Sequence, residues 1–426
     1  MLKLIVQHSP KLLTFLCGLQ LRLSKPQLQH VLRLADALIV SEVRHKTIAG
    51  VYRLIVDAPD PSNGADTLRI SPWTAEDLRT PIRHFIVADL LAYAKQSDNW
   101  TLYVSLDDSL SAKDKGTRHL EAVEYHHDHT KSQSKTKPYY TNGTVHVEVR
   151  LELGARSYAY DWRLYLREKT VRHLNRQRPP AQRLRFRKKT TLAQEMLTEL
   201  QQRLPPGFQV FVLFDSWYAA NRLLKFCRRQ HWHVVCAIKS NRKLDDTKLS
   251  QWPQALRHQR YQRVQLPATD QRQRSYLVRT LHGKLNTVPF EVCVLISQRH
   301  HRDKHPKYFL CTDLTLSAQQ ILSIYQKRWP IEVDNFYVKQ HLGLADFRVQ
   351  SYEATEKWFA IVFLALVFLQ RRLNHAHAKE PWHSLADVVR QHRYDHARTL
   401  LETACQEAAK LGDYLPVLKR LLCQPA

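Results

Sequence analysis

Glycine is scarce in this chain, at 10 of 426 residues beside 19 prolines. That scarcity excludes a collagen-like repeat and a broadly disordered polymer. Cysteine is sparse and unpaired in pattern. The seven fall at positions 17, 227, 236, 293, 311, 405 and 423, an odd number with no C-x-x-C spacing. They read as reduced, mostly buried thiols of a cytosolic protein rather than a disulfide framework. Long apolar runs are missing too. Trp358 to Leu369 is twelve residues, too short to span a bilayer, and reads as a buried core helix. The start, MLKLIVQHSPKLLTFLCGLQLRL, is interrupted by His8, Pro10 and Lys11 and lacks a clean small-residue cleavage site. Negative charge is also short. Asp and Glu total 39 against 65 Lys and Arg, a formal charge of +26 spread along the chain. Such a surface repels itself until a polyanion neutralises it, and nucleic acid is the expected partner, bound in a salt-dependent way.

What is present suits a folded protein of two or three domains, with 44% hydrophobic residues. Residues 1–97 carry leucines at helical spacing, and Thr80-Pro81 is read as opening a helix that ends near Lys95. HKTIAGVYRLIV within them is a candidate DNA-binding helical unit, with a plain core helix as the alternative. TLYVSLD reads as a strand. About forty residues later, TVHVEVRLEL and SYAYDWRLYLR alternate with period two and are joined through Gly154 and Ala155. A helix near Thr190–Arg203, the apolar strand QVFVLFD, a helix over Ala219–Gln230 and the strand HVVCAIK follow. The expected class is α/β, a mixed sheet flanked by helices. Residues 241–306 read as a β-rich insertion, and KYFLCTD with the helices from about Ser317 resumes the core. The chain divides into a helical N-terminal DNA-binding region (1–97), a first core part (98–240), the insertion (241–306), a second core part (307–375) and a helical C-terminal region (376–426). RQRPPAQRLRFRKK (176–189) reads as an exposed basic loop.

Three acidic positions stand out: Asp107 or Asp108 at the end of the first strand, Asp215 straight after QVFVLF, and Glu332 in a later helix. Hard carboxylate ligands suit Mg²⁺ or Mn²⁺. Two such ions about 3.5–4 Å apart stabilise both oxygens of an in-line displacement at phosphorus. Val104, Leu106 and Asp108 share one strand face and Ser105 and Asp107 the other, which favours Asp107 as the ligand. The plainer alternative for each strand-end aspartate is a helix cap. Tyr325, Arg328, Glu332 and Lys339 are spaced so that one helix would align them, but Pro330 divides the stretch and leaves Glu332 with Lys339 as the secure pair. His126, His127, Asp128 and His129 fit no strong zinc spacing and are read as DNA or loop contacts. Asp245 and Asp246 are read as a surface turn.

Tyr325, Arg328, Glu332 and Lys339 also match, without a gap, the Y-x2-R-x3-E-x6-K signature of bacterial DDE transposases of the insertion-sequence family four type. LFDSWYAANRLL resembles the segment around that family's second aspartate, and LDDSLSAKDKGTRHLEAV the segment around its first. The resemblance covers roughly 100–370 and implies a ribonuclease-H-like core with a β-rich insertion. It implies that Asp107 (or Asp108), Asp215 and Glu332 bind two Mg²⁺ ions, Mn²⁺ substituting. Arg328 and Lys339 would grip phosphates, with Tyr325 bonding nearby. An aromatic of the insertion, here Trp252 ahead of Tyr261 and Tyr276, would stack on a flipped base. The implied partners are double-stranded DNA, as terminal inverted repeats and target, and a second copy of the chain in a homodimer. A cytoplasmic, nucleoid-associated bacterial location follows from the same resemblance. The alternatives are a ribonuclease-H-like nuclease that does not join strands and a retired, purely DNA-binding protein.

Overall fold

The computed structural model describes every residue except 1, 129, 133–135, 268–273, 302, 304, 377–381 and 423–426. The chain begins with helices α1 (Pro10–Gly18), α2 (Lys25–Val40), α3 (Ile48–Tyr52), α4 (Pro61–Arg69) and α5 (Glu76–Ser97). Ser9, Ser24, Thr47 and Asp60 cap the first four with side-chain oxygens, as short polar residues do before an apolar run. The last of these helices starts ahead of the expected Thr80-Pro81 and takes Pro81 inside it. Its entry is set by Asp77, which accepts from the Thr74 amide, and by an acidic first turn; near a helix start the missing Pro81 donor is tolerated.

Strands β1 (Thr101–Ala112), β2 (Glu124–His127), β3 (Tyr140–Leu153) and β4 (Arg156–Tyr165) come next, then α6 (Glu168–Leu174), α7 (Lys189–Arg203), β5 (Gln209–Phe214), α8 (Asn221–Arg229) and β6 (His233–Ile238). The β3–β4 hairpin turns at Gly154, whose φ of +55° suits glycine. The small hairpin β7 (Lys243–Leu244) and β8 (Thr247–Lys248) turns through Asp245 and Asp246, both in the left-handed region, as the surface-turn reading expects. After it lie α9 (Trp252–Ala255), β9 (Gln262–Leu266), β10 (Arg274–Lys284), β11 (Glu291–Gln298), β12 (Lys307–Cys311), α10 (Ala318–Gln326), α11 (Pro330–Gln340), α12 (Tyr352–Asn374), α13 (Leu385–Leu411) and α14 (Leu415–Leu421).

One sheet runs in the order β2-β3-β1-β5-β6-β12-β11-β10-β9, with β4 pairing β3. Its centre is parallel, β1 to β5 to β6, and both flanks are antiparallel. This is a mixed α/β architecture with flanking helical regions, consistent with a ribonuclease-H-like core carrying a β-rich insertion. Two features depart from the sequence reading. The long connection after β1 contains a strand, β2, because EYHH is too short and too polar to show a clear alternation. The insertion strands β9 to β11 continue the main sheet by way of β12.

The apolar run Trp358–Leu369 is buried along its whole length in α12. That helix packs against β4 on one side and α2, α4, α5 and α13 on others, so it needs no polar face. Among the described residues no helix is long and apolar enough to cross a membrane. Cys227, Cys236, Cys293 and Cys311 are buried free thiols, whereas Cys17 and Cys405 are exposed.

Candidate active site

The central strands bring the candidate acids together because a parallel pair ends side by side. Val104 pairs with Val212 and Ser105 with Leu213, so the chain beyond them carries Asp107 and Asp215 out at one edge. Asp107, Asp108 and Asp215 line one cleft of about 1040 Å³. Asp215 Oδ1 accepts from the Trp217 and Tyr218 amides at 2.9 and 3.3 Å, so the turn-capping role is real. Its Oδ2 accepts no hydrogen bond among the described residues.

Helix α11 carries the third acid and is pinned across β1 and β3 by buried polar contacts. Arg150 Nε donates to Asp334 Oδ2 at 2.9 Å, and His146 Nε2 meets Asn335 Oδ1 at 3.0 Å. At the joint before it, Ser105 Oγ donates to the Lys327 carbonyl and Lys327 Nζ to Glu152 Oε1 at 2.8 Å. Pro330 is the first residue of α11, as expected, and α10 ends at Gln326. Lys327 and Trp329 between them keep helical backbone angles, so the break is slight. Arg328 and Glu332 still meet as an ion pair across it. Arg328 Nη1 also reaches Asp107 Oδ2 at 3.4 Å. One guanidinium thus ties the strand acid to the helix acid.

The two neighbouring aspartates have different company. Asp108 accepts from Lys189 Nζ at 2.6 Å and from the Tyr218 hydroxyl at 3.0 Å. Asp107 lies on the other face, with Ser105, toward the α10–α11 joint. Burial pushes the Asp107 carboxyl up to about 7 against the pull of Arg328, and the charges of Asp108 and Asp215 push it the same way. Directly across the ladder from Asp107 stands Glu148, fully buried on β3. Burial, then the nearby Asp334, holds its carboxyl well above the ordinary range.

Lys339 lines the cleft, and its Nζ donates to the Leu110 carbonyl at 3.1 Å. Burial lowers its pKa, while Asp107 and Glu148 act to raise it. Tyr325 is half-buried, packed edge-on against Phe309 at 4.8 Å, and lines a separate hollow with Ser216 and Tyr308. His126, His127 and Asp128 line the main cleft, while His129 lies outside the described residues. The His126 imidazole is driven down to about 4 by burial, with Lys189 and Arg167 adding to it. Trp252 does not line the cleft; it is half-buried against the main core, its indole N–H enclosed. Exposed aromatics that do line it are Tyr125, Tyr140 and Trp217, the last with Lys189 Nζ 5.3 Å from its ring centre.

The sequence reading did not single out Tyr218, Lys189 or Trp217. Trp217 and Tyr218 lie within the quoted phrase LFDSWYAANRLL, two and three residues after Asp215, which was the available signal. Lys189 ends the basic run at 176–189 and gave none of its own. Away from this cleft, Asp36, His392 and His396 form a buried cluster able to coordinate a metal ion.

A family model described as Transposase DDE domain matches residues 187–368. The matched segment includes Asp215 and Glu332 and begins after β1, so Asp107 lies outside it. Among curated proteins none matches the chain. Such a domain implies action on DNA, and the chain therefore carries a DDE transposase domain over residues 187–368.

Proposed function

We propose that this protein is a transposase of the insertion-sequence family four type, cutting DNA at the ends of a mobile element and joining them to target DNA. The observation that carries the reading is the linkage of three acids from distant segments, two of which line one cleft while Glu332 lies outside its lining. Asp107 and Asp215 share a cleft, and Arg328 links Asp107 to Glu332. The donor set fits hard divalent cations: carboxylate oxygens, one of them on a crowded, desolvated Asp107 whose charge a cation would relieve. Asp107, Asp215 and Glu332 would hold two Mg²⁺ ions. Asp107 is preferred to Asp108, because Asp108 is already engaged by Lys189 and Tyr218. The chemistry such ions supply, when bound, is charge stabilisation on the attacking and leaving oxygens of an in-line displacement.

The side chains do the rest. The fork of Arg328, now paired with Asp107 and Glu332, suits a phosphate of the DNA end and would be available to it if bound cations neutralised the two carboxylates. Lys339 adds a point charge inside the cleft. Tyr325 acts from the flank, against the Arg328 guanidinium, whose carbon lies 5.7 Å from its ring. In the first step a water oxygen bonds to phosphorus and the element's 3′ oxygen leaves. In the second that 3′ hydroxyl attacks a target phosphorus and displaces another 3′ oxygen. Trp217 replaces Trp252 as the favoured stacking platform for an unpaired base at the cleaved end. Residues 1–97 bind DNA, and two copies pair two ends.

The test uses labelled duplexes ending in the element's own terminal repeats, with plasmid target and Mg²⁺. Cleaved ends covalently joined to plasmid are expected. Cleavage with no joined product would overturn the reading in favour of a nuclease, and tight binding without cleavage would mark a retired DNA-binding protein.

A further inference from the structure

Asp36 is a fully buried carboxylate on α2, yet no lysine or arginine pairs with it among the described residues. Its Oδ1 meets Nε2 of His392 at 2.8 Å and Nε2 of His396 at 3.0 Å. Its Oδ2 meets His8 Nδ1 at 3.0 Å and accepts the Ser9 amide at 3.1 Å. His392 and His396 are both buried and stand one turn apart on α13, so their rings project from the same face. The cluster joins parts of the chain that are far apart in sequence: the segment before α1, α2, and a helix more than 350 residues later.

A buried charge needs a compensating one. Around Asp36 the side chains in hydrogen-bonding reach are those of His8, His392 and His396.

We infer that Asp36, His392 and His396 form a structural zinc site that fastens the C-terminal helix α13 to α2. The donors are two imidazole nitrogens and one carboxylate oxygen, a set zinc accepts and Mg²⁺ does not favour. Bonds of about 2.0–2.1 Å would set neighbouring donors about 3.3 Å apart, a few tenths of an ångström beyond the 2.8 and 3.0 Å that now separate Oδ1 from the two imidazole nitrogens. Ser9 N–H and His8 hold the other carboxylate oxygen and aim Oδ1 at the histidines, the usual work of outer partners around a metal. This site is separate from the DDE acids and does not depend on the proposed function.

The test is zinc content and thermal stability of the full chain, with Asp107→Asn, Asp215→Asn and Glu332→Gln combined in one control so that the cleft cannot bind zinc. One zinc per chain is expected in wild type and control alike, with a Tm lowered by EDTA and restored by ZnCl₂. His396→Gln should lose the zinc. His8→Gln, at a partly exposed position, should weaken zinc binding by about 10–100-fold. Zinc well below one equivalent even after reconstitution, with a Tm indifferent to EDTA, would overturn the site and leave a hydrogen-bonded Asp–His cluster. Zinc present in wild type but absent from the control would overturn it as well, by assigning the metal to the cleft.

Discussion

Asp107 joins its environment to its proposed task most directly. Burial raises its carboxyl to about 7 in the metal-free chain, so near neutrality it still holds its proton much of the time. A metal ligand must be ionised, so cation binding expels that proton. Mg²⁺ affinity should therefore rise about tenfold per pH unit below pH 7 and level off above it. Calorimetry in buffers of different ionisation enthalpy should detect the released proton at pH 6.5, and Asp107→Asn should abolish the release. A pH-independent Mg²⁺ affinity would remove Asp107 from the ligand set. Lys339 makes a second prediction at this scale. Its ammonium sits in the cleft, so Lys339→Ala should weaken end binding and flatten the salt slope by roughly one unit. An unchanged slope would mean that Lys339 touches no phosphate. Spacing alone paired Glu332 with Lys339; the meeting of Arg328 with Glu332 across Pro330 was not legible from it. The link from Arg328 to Asp107 was not, because it joins residues 221 apart that only the fold brings together.

Between elements, the helical layer is held to the sheet by an ion network whose central member is Arg83. Its guanidinium on α5 is buried and bonds Asp161 on β4 at 3.0 Å, Glu199 on α7 at 2.6 Å, and Glu76. Removing it leaves Asp161 buried with Arg163 as its remaining cation, at 3.2 Å. Arg83→Met should cost about 3–5 kcal/mol in urea unfolding; a loss under about 1 kcal/mol would show that the network contributes little. Glu76 gives the pH dependence. Burial acts to raise its pKa, but Arg79, the Thr80 hydroxyl and Arg83 prevail and hold it at about 2. Its folded value lies below its unfolded one of about 4.3. The stability it contributes is thus complete above that value and lost as pH falls toward 2. The gap in stability between wild type and Glu76→Gln should narrow from pH 5 to pH 3. Strands β1, β3 and β4 were legible because apolar alternation and the turn at Gly154 are local signals, whereas the short, polar β2 was not. Where β9 to β11 attach was not, since strand order depends on pairing between distant segments.

Over the whole molecule, the large positive charge, the mixed sheet and the DDE domain agree with one another. Charge and fold class were readable from composition and periodicity. The joining of α13 to α2 was not, because residues more than 350 apart in sequence meet there through Asp36, His392 and His396. The account rests on Asp107, Asp215 and Glu332 acting as a single ligand set. The most direct measurement is a crystal structure with a cleaved element end and Mn²⁺, read by its anomalous signal. Two peaks about 3.5–4 Å apart are expected in the cleft, ligated by these three carboxylates, with Arg328 turned from the acids to a phosphate. Peaks held by Asp108 in place of Asp107, or none at Glu332 with DNA in place, would contradict it.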